Sequence, residues 1–551
     1  MVDVQYCMKK FPFVPELFKV VGTYNVQSFL RDLSAGIIVG VVALPLAIAF
    51  GIASGVSPAN GLFTAIVAGF IISFFGGSRV QIGGPTGAFS VIVFGIVAEH
   101  GMNGLAVATM LAGIMLIILG VLKLGDLIKF VPYTIVVGFT AGIAVVIATG
   151  QIGDFFGMQT GEMPADFIGK IKVYFSTLSS IDVLTTAVSC ISLAVIIIWQ
   201  KIPVVGKKIP ASLVVIIIAT VASRVLNLPL ATIGSHYGEI PSALPNPTFP
   251  SFDFQLIRSM FSPAMSIALL CAIESLLSAM VADGMINTRH DSNTELMAQG
   301  LANLVSPVFG GIPATGAIAR TATNINNGGR TPVSGIIHAI TVLLIMMVLG
   351  KFASLIPLCV LSAILMTVAY NMAGLPTIRH LLYGQKSDMT VFLVSFFLTV
   401  FIDLTVAIEI GLLLAAFFFI QKAVRLMSVK PFNIPSLNDK IVVIKIYGSV
   451  FFGTVSKVEQ AISDINRDFT VLVLDMRDAL YIDAAGIHSF EQLYDQIRHS
   501  GKQLFIANLT EQPKKLFSRH NLNKLFPAGN FNANLEKAIM EAEKIIEKTS
   551  K

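Results

Sequence analysis

The stretch VFGGIPATGAIARTATNINNGGRTP, Val308 to Pro332, lies between long apolar runs, yet it is rich in Gly, Pro and Thr and contains Arg320. A charged side chain near the centre of a bilayer costs about 3 kcal/mol on insertion scales, so it normally faces a cavity or a partner. Irregular backbone at that depth is tolerated only where protein or water covers it, because lipid offers free N–H and C=O groups no partner. The stretch therefore predicts a broken transmembrane element lining a cavity, with Arg320 as a candidate functional residue.

A second copy of this pattern occurs upstream in QIGGPTGAFSVIV, Gln81 to Val93. Both copies place a proline after a glycine pair, Gly83-Gly84 or Gly310-Gly311, and both continue as Thr-Gly-Ala. Paired segments interrupted by Gly and Pro indicate the binding site of an inverted-repeat transporter. The N-terminus of each half-helix has about half a positive charge. Two such N-termini with Arg320 beside them predict an anion site.

Composition restricts the class of protein. The 551 residues are 54% hydrophobic and 13% charged, with a mean hydropathy of +0.79, which indicates a polytopic membrane protein. The net charge of +6 is explained by cations between the apolar runs, so no nucleic-acid partner is expected. The scattered cysteines give neither a disulfide framework nor a metal-ligand spacing: Cys7, Cys190, Cys271 and Cys359. We expect no metal site and no cofactor.

About fourteen apolar runs suit a bilayer crossing of ~20 residues and fall into two groups. The first group is 33–55, 61–77, 81–99, 102–122, 127–149, 181–200 and 210–227. The second group is 261–283, 294–309, 312–326, 333–356, 357–373, 389–407 and 408–425. This pattern predicts a 7+7 inverted repeat with two half-helices at the membrane midplane. A cytoplasmic segment, 1–32, would precede a transporter domain over 33–427.

Lysine and arginine set the expected orientation. Most fall in even-numbered connections or after the last run, which the positive-inside rule assigns to the cytoplasm: Arg79, Lys123, Lys129, Lys201, Lys207, Lys208, Arg289, Arg330, Arg379, Lys386, Lys422 and Arg425. The exceptions in odd-numbered connections are Lys170, Lys172, Arg258 and Lys351. Both termini are therefore expected in the cytoplasm, and no cleavable signal pattern precedes the first run.

The run SIALLCAIESLLSAMVADG, Ser266 to Gly284, contains a second charge at membrane depth, Glu274, which must be buried. Ser278 lies one turn further along the same helical face. A carboxyl in such a place can take up and release a proton during a transport cycle. The alternative is a permanent structural pair between Glu274 and Arg320, since charges within membranes often pair.

Other residues of these runs have structural interpretations. Gly36 and Gly40 have the spacing of close helix packing, whereas Pro45 fits either packing or a kink beside the pocket. Phe89 fits an apolar wall of the pocket or core packing equally well. The histidines near predicted span ends are expected to make structural hydrogen bonds rather than bind metal: His290, His338 and His380.

After Met427, strand-like runs alternate with amphipathic helical runs. The strand-like runs are IVVIKIYGSVFFG, FTVLVLDMRDA and QLFIAN, and the helical runs are SKVEQAISDIN, GIHSFEQLYDQIRHSG, PKKLFSRHNL and NLEKAIMEAEKIIEK. This order predicts a small cytoplasmic α/β domain over 428–551.

With these motifs the chain resembles the SulP family of anion transporters from about Phe29 to its C-terminus, and 428–551 resembles a STAS domain. The motifs of the resemblance are GGPTGAFSVI (Gly83–Ile92), AIESLLSAMVADGM (Ala272–Met285), NTELMAQGLANLVSPVFGG (Asn293–Gly311) and AIARTATNINNGGRTP (Ala317–Pro332). The resemblance implies a homodimer and an elevator-like cycle in which a core domain moves against a gate domain. It also implies an anion bound between the half-helices, by Gly87, Ala88, Phe89, Gly316, Ala317 and Arg320.

Within the family, LPLAIAFGIASG (Leu44–Gly55) is most similar to the bacterial branch that contains proton-coupled C4-dicarboxylate carriers. The Pro-Gln pair of eukaryotic-type sulfate permeases is replaced by Pro45-Leu46. Sodium-coupled bicarbonate members have an acid and a hydroxyl matched here by Glu274 and Ser278. Their hydroxyl on the downstream half-helix is Ile318 in this chain, which favours a proton over sodium.

The STAS-like segment departs from its relatives at one loop. Anti-sigma-factor antagonists have a phosphorylatable serine in an Asp-Ser-Ser-Gly pattern, whereas this chain has Asp483-Ala484-Ala485-Gly486. That route of phosphoregulation is closed here. The domain is expected either to bind a cytoplasmic protein partner or support dimer contacts, or to act only as a structural cap.

The expected function is secondary-active transport of a small anion across the inner membrane, as proton-coupled uptake of a C4-dicarboxylate such as succinate. The alternatives within the family are a sulfate transporter and a sodium-coupled bicarbonate transporter. The alternatives of another class are an anion channel and a membrane sensor that signals through the STAS domain. The sequence contains no nucleophile–base constellation and no phosphate-binding loop, so we do not expect an enzyme.

Overall fold

The computed structural model describes residues 13–126, 131–161, 163–164, 166–199, 201–202, 210–402, 404–434, 437–465, 468–520 and 530–549. The chain forms two compact units, Met1–Leu412 and Leu413–Lys551. Parts of the expected cytoplasmic segment and of the orientation pattern lie outside the described residues, namely 1–12, Lys129, Lys207 and Lys208.

The first unit is almost entirely helical. Its first half contains α1 Glu16–Val20, α2 Val26–Ala53, α3 Pro58–Phe75, strand β1 Gly83–Gly84, α4 Gly87–Val121, α5 Tyr133–Gly150, α6 Ile152–Phe156, α7 Phe167–Ser176, α8 Val183–Trp199, α9 Ala211–Val225 and α10 Ile233–Tyr237. Its second half contains α11 Phe254–Ile286, α12 Ser292–Val305, strand β2 Thr315–Gly316, α13 Ile318–Asn326, α14 Pro332–Ala353, α15 Leu358–Ala373, α16 Leu375–Leu382 and α17 Lys386–Phe401, and α18 Leu404–Leu426 runs across the boundary into the second unit.

A helix coincides with each of the fourteen predicted apolar runs. Among the described residues, eight segments are long and apolar enough to cross a membrane. The runs 81–99 and 102–122 form the single element α4, which is divided where Gly101 has a φ of 64°. The run 312–326 contains only the nine residues of α13, which are too few to cross a bilayer and agree with a half-helix.

The first long helix begins earlier than hydropathy predicts. Helix α2 starts at Val26 rather than Leu33, because the side chain of Asn25 accepts a hydrogen bond from the backbone N–H of Ser28 and caps the helix. The predicted segment 1–32 therefore includes the first two turns of α2. Capping residues have no apolar signal, so a hydropathy window does not detect them.

In each half of the first unit, two helices pack on a helix of the other half. Helices α2 and α3 of the first half pack on α14, and their counterparts α11 and α12 pack on α4. The α2 contact is close, since a Cβ at Gly36 would lie 2.6 Å from the Ser334 carbonyl oxygen and one at Gly40 would lie 2.7 Å from Thr341. The packing interpretation of Gly36 and Gly40 is thus confirmed. The matching pattern agrees with an inverted repeat.

The second unit has a five-stranded sheet in the order β3-β4-β5-β6-β7, with β3 antiparallel to β4 and the other pairs parallel. The strands are β3 Ser428–Pro431, β4 Ile441–Tyr447, β5 Val471–Asp478, β6 Gln503–Ala507 and β7 Phe531–Asn532. The helices are α19 Val455–Ser463, α20 Ala484–His499, α21 Glu511–Arg519 and α22 Leu535–Thr549. The central strands are apolar on both faces, because one face packs on α20 and α21 and the other on α22.

Candidate functional site

The two broken segments meet in the first unit. Strands β1 and β2 pair antiparallel, with Gly83 opposite Gly316 and Gly84 opposite Thr315. The pairing continues where the Ala317 N–H donates to the Ile82 carbonyl over 2.9 Å. Helices α4 and α13 begin shortly after these strands and leave the antiparallel pair from opposite ends, so both N-termini lie at the crossing.

Side chains satisfy the irregular backbone around this crossing. The Asn303 amide both donates to the Ala314 carbonyl at 2.8 Å and accepts from the Ala314 N–H at 2.9 Å. The Thr64 hydroxyl accepts from the Ile312 N–H at 2.7 Å, and the Thr321 hydroxyl accepts from the Ile82 N–H at 3.0 Å. These polar residues replace the hydrogen bonds that a continuous helix would supply, as backbone at membrane depth requires.

Arg320 lies across the crossing and is only 2% exposed. Its Nη2 donates to the Pro85 carbonyl, immediately before α4. Its Nη1 has no hydrogen-bond partner in the part of the chain that the structure describes. No carboxylate of the described residues lies within 4.0 Å, so this structure does not contain the alternative Glu274–Arg320 pair. The guanidinium therefore has donor capacity free for a ligand.

Helix α11 is linked to both half-helices through hydroxyl groups. The Glu274 Oε2 atom accepts a hydrogen bond from the Thr86 hydroxyl at 3.0 Å, and Thr86 is the residue that precedes α4. The Ser278 hydroxyl donates to the Thr321 hydroxyl on α13 over 3.4 Å. Glu274 lies at mid-span with little exposed surface, as expected, and faces Thr86 at the start of α4. Whether Glu274 is protonated therefore affects Thr86, the N-cap residue of α4.

The other predicted site residues lie around the two N-termini. Gly87, Ala88, Phe89 and Gly316 are buried, and Ala317 is half-buried. Phe89 is 0% exposed, so in this conformation it packs in the core and does not line an open pocket.

Apolar side chains pack closely against Gly87, the first residue of α4. A Cβ at Gly87 would lie 2.9 Å from Ile147 Cδ1 and 3.0 Å from Phe50 Cε1. These apolar side chains therefore cover the start of α4. By contrast, Ile318 on α13 is 47% exposed.

Residues 29–395 match the sulfate permease family, and residues 436–538 match the STAS domain. The chain belongs to the sulfate permease family. This permease is 43% identical to the putative sulfate transporter YvdB of Bacillus subtilis (strain 168), over 91% of this chain and 95% of that protein. It is 28% identical to the bicarbonate transporter BicA of Picosynechococcus, over 95% of this chain and 96% of that protein.

Solved structures share the fold of this permease. Murine Slc26a9, an anion transporter in the inward-facing state, is 17% identical and has a TM-score of 0.88 over 98% of this chain and 95% of that chain. The transmembrane domain of a cyanobacterium bicarbonate transporter, BicA, is 30% identical and has a TM-score of 0.63 over 71% of this chain and 98% of that chain. The predicted polytopic helical fold with a C-terminal STAS domain is confirmed. The permease is a membrane transporter and not an enzyme.

The crossing of this permease contains polar residues that sequence reasoning missed. Both amide atoms of Gln81 and both ring nitrogens of His338 are buried and have no hydrogen-bond partner among the described residues. A Cβ at Gly316 would lie 1.7 Å from Gln81 Nε2, so the Gln81 amide lies against β2. His338 is buried, and its expected structural hydrogen bond stays a prediction. Gln81 had a signal in the sequence, since it is the first residue of the upstream copy of the repeated pattern, QIGGPTGAFSVIV.

Two further acidic or basic residues have structural partners. His290 Nδ1 lies 2.7 Å from Asp283 Oδ2, which agrees with its expected structural role. Glu295 is 0% exposed, and its Oε2 accepts from the backbone N–H groups of Gly77 and Ser78 at 2.8 and 3.1 Å. Glu295 thus stabilises the loop before β1.

Proposed function

We propose that this permease is a secondary-active transporter of a small anion, which binds between the N-termini of α4 and α13 beside Arg320. The observation that supports this most directly is the paired crossing itself, where β1 and β2 bring two helix N-termini together. Each N-terminus presents backbone N–H groups and about half a positive charge to a ligand. The Arg320 Nη1, without a hydrogen-bond partner in the described part of the chain, adds a full charge and a free donor.

We propose that the residues of this site are Gly87, Ala88, Phe89, Gly316, Ala317 and Arg320. Gly87 and Gly316 have no Cβ, so an anion can approach the backbone N–H groups closely once the side chains that cover them, Ile147, Phe50 and Gln81, move aside. Phe89 would act as an apolar support behind them. Arg320 would supply the charge that selects an anion, because no described carboxylate lies within 4.0 Å to neutralise it.

Glu274 is proposed as the carrier of the coupling proton. When ionised, its carboxylate accepts from the Thr86 hydroxyl beside the anion site and repels an incoming anion. Protonation removes this negative charge, so proton and anion bind more favourably together than either alone. Ser278 links the same helix to α13 and would couple this change to the second half-helix.

The substrate is proposed to be a small oxyanion. The relatives named for sulfate and bicarbonate transport favour an inorganic oxyanion, with sulfate first because that relative is 43% identical. Uptake of a C4-dicarboxylate such as succinate remains the prediction from the motifs of the bacterial branch. The positive-inside pattern favours an inner-membrane protein with both termini in the cytoplasm, and the family resemblance favours a homodimer and a cytoplasmic partner of the STAS domain.

The experiment that tests this function is uptake into proteoliposomes containing the full-length chain. Labelled sulfate, succinate and bicarbonate are each offered with an inward proton gradient and, separately, with an inward sodium gradient. Accumulation of one of these anions above equilibrium under the proton gradient supports the proposal. Accumulation under the sodium gradient alone would refute proton coupling. It would instead require a sodium site around Glu274 and Ser278.

A matched variant ties that uptake to the proposed site. The variant Arg320→Ala should lose saturable uptake of whichever anion is transported, because the full positive charge of the site is gone. Lys351→Ala, which removes an exposed lysine from the last turn of α14, is the control and should transport normally. Unchanged uptake by Arg320→Ala would exclude Arg320 from the site.

A further inference from the structure

A small cleft lies beside the start of α4, one helical turn from Gly87. Its lining includes Ser90 and Phe94 of α4, Ile147 and Gly150 of α5, and Lys170 of α7. The cleft therefore lies between the broken element of the proposed anion site and helices of the same half that follow it in the chain.

Two hydrogen-bond donors, Ser90 and Lys170, line this cleft. Ser90 is 2% exposed, and its hydroxyl has no hydrogen-bond partner among the residues that the structure describes. Lys170 is 9% exposed, and its Nζ lies 4.8 Å from the centroid of the Phe94 ring. No carboxylate within the described ranges lies within 4.0 Å of that ammonium group.

The ammonium group of Lys170 is held in an unfavourable environment. Burial lowers its pKa, because removal from water penalises the charged form, while the more distant Asp166 carboxylate raises it. A cation–π contact with Phe94 offsets this cost only in part. A buried cation with no described carboxylate within 4.0 Å, in the same cleft as a hydroxyl without a partner among the described residues, is an environment in which a bound anion would be stabilised.

Ile147 belongs both to the lining of this cleft and to the side chains that cover the start of α4. Ile147 lines the cleft, and its Cδ1 would lie 2.9 Å from a Cβ placed at Gly87. Ile147 therefore separates the cleft from the N-terminus of α4 by the thickness of one side chain. A rotation of that side chain or a small movement of α5 would join the two.

The position of Lys170 in the chain indicates which side of the membrane the cleft faces. Helix α7 lies in the connection between the fifth and sixth predicted spans, which the positive-inside rule assigns to the outer side. Lys170 is one of the cations that depart from that rule. A role in binding an anion would explain why a lysine is present there.

We propose that Lys170 and Ser90 form an outer anion subsite, where an incoming oxyanion binds before Ile147 moves aside and admits it to Gly87 and Arg320. This inference rests on the proposed function, since it assigns a second step to the same route. The ammonium of Lys170 attracts the anion and the Ser90 hydroxyl donates to one of its oxygens.

The subsite can be tested without measuring transport. Gly150→Cys places a thiol in the cleft, where a Cβ would meet no other atom of the described residues within 4 Å. In the full-length chain with Cys7 and Cys190 replaced by serine, the rate of modification is compared for an anionic sulfonatoethyl and a cationic trimethylammonioethyl methanethiosulfonate. Cys271 and Cys359 are buried and remain.

We expect the anionic reagent to modify the thiol faster than the cationic one, because a cation in a narrow cleft concentrates anions. Lys170→Gln should reduce the ratio of the anionic to the cationic modification rate about tenfold. Sulfate at millimolar concentration should slow the modification, whereas gluconate at equal ionic strength should not. Lys170→Arg keeps the charge and should keep the ratio. Lys172→Gln, an exposed lysine on the same helix, is the matched control and should also keep it.

An unchanged ratio in Lys170→Gln, or equal slowing by sulfate and gluconate, would overturn the outer subsite. This outcome is separate from failure of the proposed function, which the proteoliposome uptake of the unmodified chain decides. If the modification rates change as expected but none of the three anions is transported, the outer subsite is supported and the proposed function is refuted.

Discussion

Glu274 and Thr86 share a single hydrogen bond of 3.0 Å, and through it the charge on α11 touches the residue that precedes α4. Arg320 reaches the same place from α13, since its Nη2 donates to the Pro85 carbonyl. One acid, one base and one hydroxyl therefore converge where the two broken segments cross. A change of charge at Glu274 therefore acts directly on the proposed anion site, because no helix or strand lies between them.

We expect Glu274→Gln to bind the anion but lose proton-driven accumulation. The amide keeps a hydrogen bond with Thr86 and is neutral, like the protonated acid, so affinity should no longer fall as the pH rises. The wild-type chain should bind the anion more weakly at high pH, where Glu274 is ionised. Binding affinity across pH and uptake under a proton gradient measure both effects.

The control for this variant is Asp283→Asn, a carboxylate on the same helix that bonds His290 instead of the crossing. Its pH dependence should match that of the wild type. A Glu274→Gln chain that still concentrates the anion under a pH gradient would exclude the coupling role.

At the residue scale, hydropathy made Arg320 and Glu274 predictable, because a charge within an apolar run is conspicuous and costly. Thr86, Gln81 and His338 were not predicted as site residues. A hydroxyl or amide in such a run costs little, and periodicity does not reveal which partner it meets. Their roles depend on contacts between segments more than 180 residues apart, such as Thr86 with Glu274.

At the scale of elements, the crossing depends on the backbone of β1. Gly84 has a φ of 152°, a conformation that a residue with a side chain rarely adopts, and a Cβ there would lie 2.2 Å from Arg320 Nη1. We expect Gly84→Ala to displace the guanidinium and abolish anion binding, with a loss of stability of about 1–3 kcal/mol from the strained backbone. Anion binding and thermal unfolding of the purified chain measure the two effects.

Gly95→Ala is the matched control, because a Cβ at that position of α4 meets no atom of the described residues within 4 Å. This change should leave binding intact and should not lower stability, since alanine favours a helix over glycine. Normal binding by Gly84→Ala would show that the position of Arg320 does not depend on this glycine.

Most elements were predictable, and the failures have local causes. The strands β4, β5 and β6 follow from apolar runs, whereas β7 has only two residues and β3 is a short edge strand with half of its residues exposed, so neither has a clear pattern. The half-helices were predictable from the repeated Gly and Pro residues. The pairing of β1 with β2 was not, because four residues in two places do not specify a register.

For the whole molecule, the repeat in the sequence predicted the order of helices, and the exchange of α2, α3, α11 and α12 between the halves agrees with it. Hydropathy could not predict whether the route through the permease is open or closed. That depends on how side chains such as Ile147 and Phe50 cover Gly87.

This closure bears on whether the permease is a carrier or a channel. Arg320 is 2% exposed and Gly87 and Gly316 are buried, so in this conformation the proposed site is enclosed and the anion must be released by a conformational change. A carrier of this kind should show counterflow. Proteoliposomes loaded with unlabelled sulfate, clamped at zero membrane potential and diluted into a trace of labelled sulfate, should take up label transiently above its equilibrium level. The same liposomes containing Arg320→Ala supply the baseline. Label that only approaches equilibrium, without an overshoot, would mean that sulfate diffuses through an open route, and the alternative of an anion channel would replace the carrier.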